Sequence, residues 1–491
     1  MAKKVIVIGS GFAGLSAAAC LAQAGYDVTI LEKNEVPGGR ARVFSEAGFV
    51  FDMGPSWYWM PDVFEQFFGL FGKKVADYYD LVRLDPSYTI HFGKNDVMEV
   101  PAGMDALHQL FERYEPGSSA KLKTFLDEAR YKYEVGMGDF VHKPSHSIFE
   151  FADPRLLLSM FRLQMFRSMS AYVRKLFKNE QLIQMLEFPV LFLGATPEKT
   201  PALYSLMNHA DLSLGTWYPM GGMHQIVQGM LAVAQEQGAK LVLNAEVRKI
   251  NINAGRATHV LTDSESYEAD VVIGAADYHH VEQHLLEPKH RQYDEQYWNS
   301  RVMAPSSLLY YIGVNKKLKG LRHHNLFFDT DFRQHAIDIY EQPRWPEEPL
   351  FYVSAPSVTD PGVAPEGSEN LFLLIPLAPG LEDTEALRER YYHLAMERLE
   401  TLTGQEIRPH VVYKRSFAHR DFERDYHAYK GNAYGLANTL LQTAFLKPKM
   451  KSPKVSNLYY AGQLTTPGPG VPPSIISGQV VAKEIARDFR L

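Results

Sequence analysis

Apolar runs and polar breaks near the N-terminus predict a strand, a helix and a second strand. Residues 5–8 are four consecutive apolar residues, which is typical of a buried parallel strand. Residues 15–24 are rich in alanine and leucine and predict a helix. Residues 27–32 predict the second strand, which ends in an acidic residue. This order indicates a βαβ unit built on a parallel sheet.

Three glycines, in the spacing G-x-G-x-x-G, lie between the first strand and the helix. Gly9 permits the tight turn, Gly11 leaves room for a pyrophosphate, and Gly14 allows helix and strand to pack closely. The helix N-terminus offers unpaired N–H groups to phosphates. Glu32, 18 residues beyond Gly14, is placed to accept hydrogen bonds from ribose hydroxyls. We therefore predict a dinucleotide site, with a glycine-rich turn that binds nothing as the alternative.

The same alternation of strands and helices returns later in the chain. Residues 241–250 predict a strand and a turn, and residues 269–277 a strand that ends in small residues. Residues 457–462 predict a short strand that enters a Gly/Pro-rich loop, and residues 474–489 a helix opened by Ser474. We expect these pieces to join the N-terminal unit in one discontinuous domain.

Two long uncharged stretches, residues 5–26 and 455–482, have the length of a membrane span. The first contains the glycine turn and the second a cluster of Gly-Pro steps, so we expect no transmembrane helix. The net charge of −6 argues against nucleic acid as a partner, and 491 residues predict two or three domains. Cys20 is the only cysteine and suits a packing role in a reducing cytoplasm. No metal-ligand spacing is evident, so we predict no metal site.

Five further segments carry a family resemblance: Pro37-Gly-Gly-Arg40, Phe51-Asp-Met-Gly-Pro55, Tyr218-Pro-Met-Gly-Gly-Met223, Glu246-Val247 and residues 460–478. With the glycine turn, they resemble bacterial carotenoid desaturases of the phytoene desaturase type, within the amine oxidase superfamily. His224 departs from the pattern, since many relatives have glycine there. The resemblance implies FAD as cofactor, bound by Gly9, Gly11, Phe12, Ala13, Gly14, Glu32, Lys33, Gly38, Gly39, Arg40, Met53, Gly54, Pro55, Val247, Gly462, Gly470 and Val471.

The implied fold is α/β, with a discontinuous Rossmann-like FAD-binding domain, an α+β substrate-binding insert and a helical subdomain. We assign residues 1–85, 219–300 and 413–491 to the FAD-binding domain. Residues 86–218 are expected to form the helical insert, and residues 301–412 the substrate-binding sheet. The glycine pair of 218–223 is expected to allow close approach to the flavin ring.

The resemblance implies hydride transfer to FAD from a hydrophobic C40 polyene, converting phytoene to lycopene, with quinone or oxygen as the final electron acceptor. The aromatic segment 56–61 is expected to line a tunnel or the flavin wall. His209 and Asp211 are candidates to border the site, whereas the pairs His279-His280 and His323-His324 are expected on the surface or in the core. No catalytic base can be named from the sequence.

Three other functions stay open: a 3,4-desaturase, isomerase or saturase of the same family; a flavin amine oxidase; and a non-enzymatic prenyl-lipid escort protein. The intact flavin motifs argue against the escort protein. Because the substrate dissolves in membranes, we expect peripheral association with the inner face of the cytoplasmic membrane. Residues 154–178, apolar with interspersed cations and no acid, predict an interfacial helix, with a core helix as the alternative.

Overall fold

The computed structural model describes residues 2–144, 163–165, 167–191, 193–439, 442–443 and 446–490. A five-stranded parallel sheet joins segments from both ends and the middle of the chain. Its strands are β1 (Lys4–Ile8), β2 (Asp27–Leu31), β9 (Lys240–Val242), β13 (Val271–Gly274) and β19 (Leu458–Tyr460). The order is β19-β13-β1-β2-β9. Each region that the sequence marked as a strand contributes to this sheet.

Three helices cover the parallel sheet: α1 (Phe12–Gln23), α7 (His224–Glu236) and α13 (Val471–Asp488). Helix α1 packs against both of the others. Helix α13 comes so close that a Cβ at Gly478 would lie 2.3 Å from the carbonyl oxygen of Ala13. It begins three residues before the expected Ser474, because prolines are tolerated in the first helical turn. Burial of Cys20 within α1 raises the pKa of its thiol to about 12, which keeps it protonated.

A seven-stranded mixed sheet forms the second layer. Its strands are β6 (Tyr88–Gly93), β7 (Asp96–Val100), β14 (Ser306–Val314), β15 (His324–Phe327), β16 (Phe351–Ser354), β17 (Glu369–Leu377) and β18 (Val411–Phe417). The order is β18-β14-β17-β16-β15-β6-β7, with only β15 and β6 parallel. Strands β6 and β7 come from the segment assigned to the helical insert, and β18 crosses the expected boundary at residue 413. By pairing, all three belong with the sheet of residues 301–412.

Smaller sheets connect the two layers. Strands β10 (Val247–Asn253), β11 (Arg256–Thr262) and β12 (Ser266–Glu268) form an antiparallel sheet. Strand β3 (Val43–Glu46) pairs with β4 (Phe49–Asp52), and β5 (Leu81–Arg83) pairs with β8 (Trp217–Pro219). The stretch 241–250, expected as one strand and a turn, is therefore divided between β9 and β10 in different sheets.

The remaining helices lie around the sheets. They are α2 (Pro61–Gly69), α3 (Met104–Tyr114), α4 (Ser118–Val135), α5 (Met169–Leu176), α6 (Glu180–Leu191), α8 (Tyr278–His284), α9 (Glu295–Asn299), α10 (Phe332–Tyr340), α11 (Glu385–Thr403) and α12 (His419–Tyr426). Among them, α3 to α6 form a helical layer.

Of the predicted interfacial helix, residues 154–178, residues 154–162 and 166 lie outside the described residues. Its described end, α5, buries Met169, Tyr172 and Val173, while Arg174 pairs with Glu180 at 2.6 Å. In the part of the chain that the structure describes, no helix is both long and apolar enough to cross a membrane.

Candidate functional site

The turn between β1 and α1 opens onto a cavity of about 1060 Å³. Gly9 has a φ of +103°, and its N–H donates to the carbonyl oxygen of Leu31 at 2.8 Å. A Cβ at Gly14 would lie 2.1 Å from the carbonyl oxygen of Gly9, so helix and strand pack as tightly as the sequence predicted. A Cβ at Gly11 would meet nothing within 4 Å, and Gly11 lines the cavity. The turn thus leaves room for a phosphate against its backbone.

Glu32, just after β2, stands beside the same turn. One carboxylate oxygen accepts hydrogen bonds from the backbone N–H and the hydroxyl of Ser10, at 3.0 and 2.6 Å. The other oxygen accepts from the N–H of Asn34 at 3.0 Å. Although only 4% exposed, Glu32 lines the cavity. These bonds fix the carboxylate at the wall where a ribose would lie next to the glycine turn.

The Gly-Gly-Arg segment, residues 38–40, lies against the glycine turn and lines the same cavity. Gly38 and Gly39 have φ values of +112° and +55°, and a Cβ at Gly39 would lie 3.3 Å from Cα of Gly11. The guanidinium of Arg40 stacks over Tyr426, and its Nη2 donates to the carbonyl oxygen of Asn432 at 3.2 Å. Its Nε is buried without a hydrogen-bond partner. Burial lowers the pKa of Arg40, and an unused donor on a buried cation fits an anionic ligand such as a pyrophosphate.

The structure brings almost all the predicted cofactor residues to this one cavity. Gly14 is the exception, since it serves the packing of α1. The residues that line the cavity are Gly9, Gly11, Phe12, Ala13, Glu32, Lys33, Gly38, Gly39, Arg40, Met53, Gly54, Pro55, Val247, Gly462, Gly470 and Val471. Their contact with a cofactor stays a prediction, but their arrangement fits a dinucleotide.

A stacked pair of histidines at the same end was not expected. The rings of His280 and His427 lie 3.8 Å apart and almost parallel, and both line the cavity. Lys33 Nζ lies 3.1 Å from His427 Nε2, and Glu246 Oε1 lies 3.1 Å from the same nitrogen. Burial, followed by the charge of His427, lowers the pKa of His280 to about 3. The sequence offered no signal for the pair, because residues 280 and 427 come together only through the fold.

The other end of the cavity is an apolar arm, whose described lining comes mainly from residues 136–141, 163–165, 188–207 and 305–376. Trp57 and Trp59 line the cavity, as predicted for segment 56–61, and their rings lie 6.1 and 6.3 Å from that of Phe188 in the arm. Tyr58 instead points into the core and bonds the hydroxyl of Tyr79 at 3.0 Å. The arm's walls include Met137, Phe188, Leu191, Leu206, Met207, Leu326, Phe328, Phe332, Leu350 and Leu374. Their sequence pattern is that of ordinary core, so sequence reasoning missed them.

The charges that line the cavity are confined to the dinucleotide end. Among the described lining residues, the charged ones are Glu32, Lys33, Arg40, Glu246, Asp277 and Asp425. Within the described parts of 136–207 and 305–376, the only titratable lining group besides tyrosines is His335, and burial lowers its pKa to about 4. The described lining of the arm is therefore uncharged at neutral pH.

The glycine pair near Tyr218 serves a different contact from the one expected. A Cβ at Gly222 would lie 2.7 Å from Oδ2 of Asp52. The carboxylate of Asp52 accepts hydrogen bonds from the N–H of Met223 at Oδ2 and from the N–H of His224 at Oδ1. The N–H of Gly221 donates to Asp360. The glycines therefore allow the backbone to approach the carboxylates of Asp52 and Asp360 closely. Neither glycine lines the main cavity.

His209 and Asp211 do not line the cavity either. Asp211 is buried and accepts from the hydroxyl of Tyr88 at 2.8 Å, and burial raises the pKa of its carboxyl to about 7. His323 and His324 are buried in the core as expected, whereas His280 lies at the cavity. Within the residues that the structure describes, no group of His, Cys, Asp and Glu is arranged to hold a metal ion.

Comparison with known proteins places this architecture. Residues 12–486 match the family model of flavin-containing amine oxidoreductases. A carotenoid 3,4-desaturase of Haloarcula japonica is 42% identical over 99% of this chain and 98% of its own. A zeta-carotene-forming phytoene desaturase of Myxococcus xanthus is 32% identical over 98% and 94%. An oxidoreductase structure from Methanosarcina mazei, 19% identical, aligns with a TM-score of 0.63 over 98% of this chain and 100% of its own. The predicted α/β fold class is confirmed.

Proposed function

This chain belongs to the flavin-containing amine oxidoreductase family, as a member of its carotenoid desaturases, and we propose that it desaturates an acyclic C40 carotenoid precursor, converting phytoene towards lycopene. It is an FAD-dependent oxidoreductase. The predicted family, cofactor and enzyme class are confirmed by these comparisons. The particular polyene and the number of steps are the proposal.

One observation carries the proposal: the apolar arm, whose described lining is uncharged, is continuous with the dinucleotide end in a single cavity. A polyene hydrocarbon has no polar handle, so its binding energy comes from apolar area, at roughly 25 cal/mol per Å². An arm walled by Phe188, Phe328 and Leu374 supplies such area. An amine substrate would gain little there, because the described arm residues provide no carboxylate.

Bound FAD would supply the acceptor for the hydride lost from an allylic C–H bond, and the neighbouring carbon would lose a proton to a base or to water, so that two hydrogens leave as the double bond forms. The chain's own residues bind the cofactor and the polyene and orient them. The arm positions one C–C bond of the polyene against the wall formed by Met53, Gly54, Trp57 and Trp59, and it excludes water. Arg40 and the N–H groups at the start of α1 hold the pyrophosphate.

A second candidate is 3,4-desaturation near the end of the polyene. It is favoured by the 42% identity to the Haloarcula enzyme over almost the whole of both chains. The two functions differ in the bond presented to the flavin, which depends on how far the polyene slides into the arm.

Pigment analysis decides between them. The gene should be expressed in one host that accumulates phytoene and in another that accumulates lycopene, with Gly11→Val as the FAD-free control. Coloured desaturation products from phytoene support the proposal, and products from lycopene alone favour the 3,4-desaturase. If neither pool is altered while the purified protein carries FAD, the desaturase proposal fails.

We also propose that the enzyme works at the cytoplasmic membrane and passes its electrons to quinone or oxygen. The basis is the apolar, cation-bearing segment 154–178, joined to a substrate that dissolves in lipid. Replacing Leu157, Phe161 and Phe166 together by Ser should weaken flotation with anionic liposomes at an unchanged melting temperature. Unchanged flotation with a much lower melting temperature would support a core helix instead. Mixing the anaerobically reduced holoprotein with a quinone or with oxygen, and following the flavin spectrum, identifies the acceptor.

A further inference from the structure

Lys447 is a buried cation with no counter-charge among the described residues. Its side chain is 2% exposed, and Nζ has no hydrogen-bond partner. Burial alone lowers the pKa of its ammonium group to about 7, and no charged group contributes to that shift. A lysine in this position would ordinarily be paired, because an unpaired ammonium in a low-dielectric interior is costly.

Two further buried polar atoms without partners belong to the loop that contains Gly468 or lie beside it. They are Oδ1 of Asn438 and Oγ1 of Thr466, on residues that are each 6% exposed. Lys447 Nζ and Asn438 Oδ1 lie 3.2 and 3.1 Å from the point where a Cβ of Gly468 would stand. The absence of a Cβ at Gly468 lets both groups reach the backbone of the loop 466–470.

This loop forms part of the cofactor end of the cavity. Thr466, Pro467, Pro469 and Gly470 line it, and the loop leads directly into α13, which begins at Val471. Asn438 lines the cavity from the side of the apolar arm. The N-terminus of the 18-residue helix α13 carries a partial positive charge, and the ammonium of Lys447 is also positive. Both therefore favour negative charge at the same wall of the cavity.

We propose that Lys447, supported by Asn438 and Thr466, is an electrostatic site for the negative charge that the flavin ring carries when FAD is reduced and deprotonated. The buried ammonium acts across the loop 466–470. It favours the reduced form and so raises the reduction potential of the bound cofactor. An anion at this wall also supplies the missing counter-charge of Lys447. The inference requires FAD but is independent of which polyene is the substrate.

The test compares FAD-loaded Lys447→Met, which removes the charge at similar length, with Lys447→Arg, which keeps it. Lys454→Met, an exposed lysine of the same C-terminal region, is the matched control. The readouts are the two-electron reduction potential and the affinity for sulfite, whose flavin adduct is anionic. We expect Lys447→Met to bind sulfite at least tenfold more weakly. A tenfold change between the two oxidation states corresponds to a potential about 30 mV lower for a two-electron couple.

Lys447→Arg and Lys454→Met should resemble the wild type in both readouts. A flavin-loaded Lys447→Met with wild-type potential and sulfite affinity would overturn the proposal, even if its turnover fell. The wild-type holoprotein provides a test that needs no variant. Reduced at mildly acidic pH, it should show the absorption spectrum of anionic reduced flavin, and the spectrum of neutral reduced flavin there would refute the inference.

Discussion

Two glycines of one turn have opposite reasons for lacking a side chain. At Gly14 the fold itself requires it, because a Cβ would collide with the carbonyl oxygen of Gly9. At Gly11 only the ligand requires it, because a Cβ would point into open cavity. We therefore predict that Gly11→Val folds but loses FAD, whereas Gly14→Ala loses stability with or without the cofactor.

Gly103→Val is the control for the first variant. Gly103 is also extended, at φ −80° against −69° for Gly11, and a Cβ there also meets nothing within 4 Å, but it caps α3 away from the cavity. The ratio of flavin to protein absorbance and the melting temperature of the apoprotein give the answer. Full flavin content in Gly11→Val would contradict the assignment of this glycine turn as the pyrophosphate-binding site.

His280 should make the protein sensitive to mild acid. Its pKa, lowered to about 3 by burial and by His427, lies below the value of about 6.5 for an unfolded histidine. The other groups around it are His279, His284 and Lys33, which lower its pKa as well. At pH values between about 3 and 6.5, the imidazole of His280 is protonated in the unfolded chain but neutral in the folded protein. The stability that His280 contributes is therefore complete above about pH 6.5 and is lost as pH falls towards 3.

His280→Phe keeps a ring against His427 and removes this titration. Relative to the wild type, we expect it to retain about 2 kcal/mol more of its neutral-pH stability at about pH 4.5. The melting temperature measured from pH 7 downwards checks this, with His259→Phe, exposed on β11, as the matched substitution. Parallel curves for His280→Phe and the wild type would exclude the role.

At the scale of elements, a buried arginine links helix α11 to α12. Arg388 pairs with Asp383 at 2.6 Å and with Asp421 of α12 at 2.8 Å, and its side chain is 6% exposed. Arg388→Met would remove the buried cation that Asp383 and Asp421 share, leaving them only the exposed arginines Arg420, 3.8 Å from Asp383, and Arg424, 2.9 Å from Asp421. We expect a loss of about 3–5 kcal/mol, against less than about 1 kcal/mol for Lys123→Met, whose partner Asp127 is exposed. Denaturant unfolding of both variants gives the comparison, and equal losses would mean that the arginine cluster is not a structural clamp.

The sequence predicted the elements whose residues are close together in the chain, and less of what depends on distant partners. The βαβ unit, its glycines and Glu32 could be predicted because their spacing is local. Strands β6 and β7 could not be placed, since β6 pairs with β15 across more than 200 residues and β7 joins the sheet only through β6. The His280–His427 stack could not be predicted for the same reason, since its two residues are distant in the chain. The walls of the apolar arm could not be predicted either, because a leucine that faces the cavity, such as Leu374, has the same sequence pattern as a core leucine.

At the scale of the whole molecule, one cavity is shared by two separately built ends. The parallel sheet and its glycine turns form the dinucleotide end, while the seven-stranded sheet and the helical layer form the apolar arm. Binding of cofactor and polyene should therefore be separable by mutation, although turnover needs both.

Leu374→Asn tests this separation. Leu374 lies on β17 with its side chain on the arm, so the change removes apolar area and adds an amide without a ready partner. We expect polyene binding at least tenfold weaker with flavin content unchanged, while Gly11→Val should lose flavin and still bind polyene. Val412→Asn, at an exposed position of β18, controls for the substitution itself. The measurements are flavin absorbance and the spectral shift of a detergent-solubilised carotenoid on binding. If either variant lost both ligands while its melting temperature held, the two ends would form a single coupled site, and the separation argued from the sheets would be wrong.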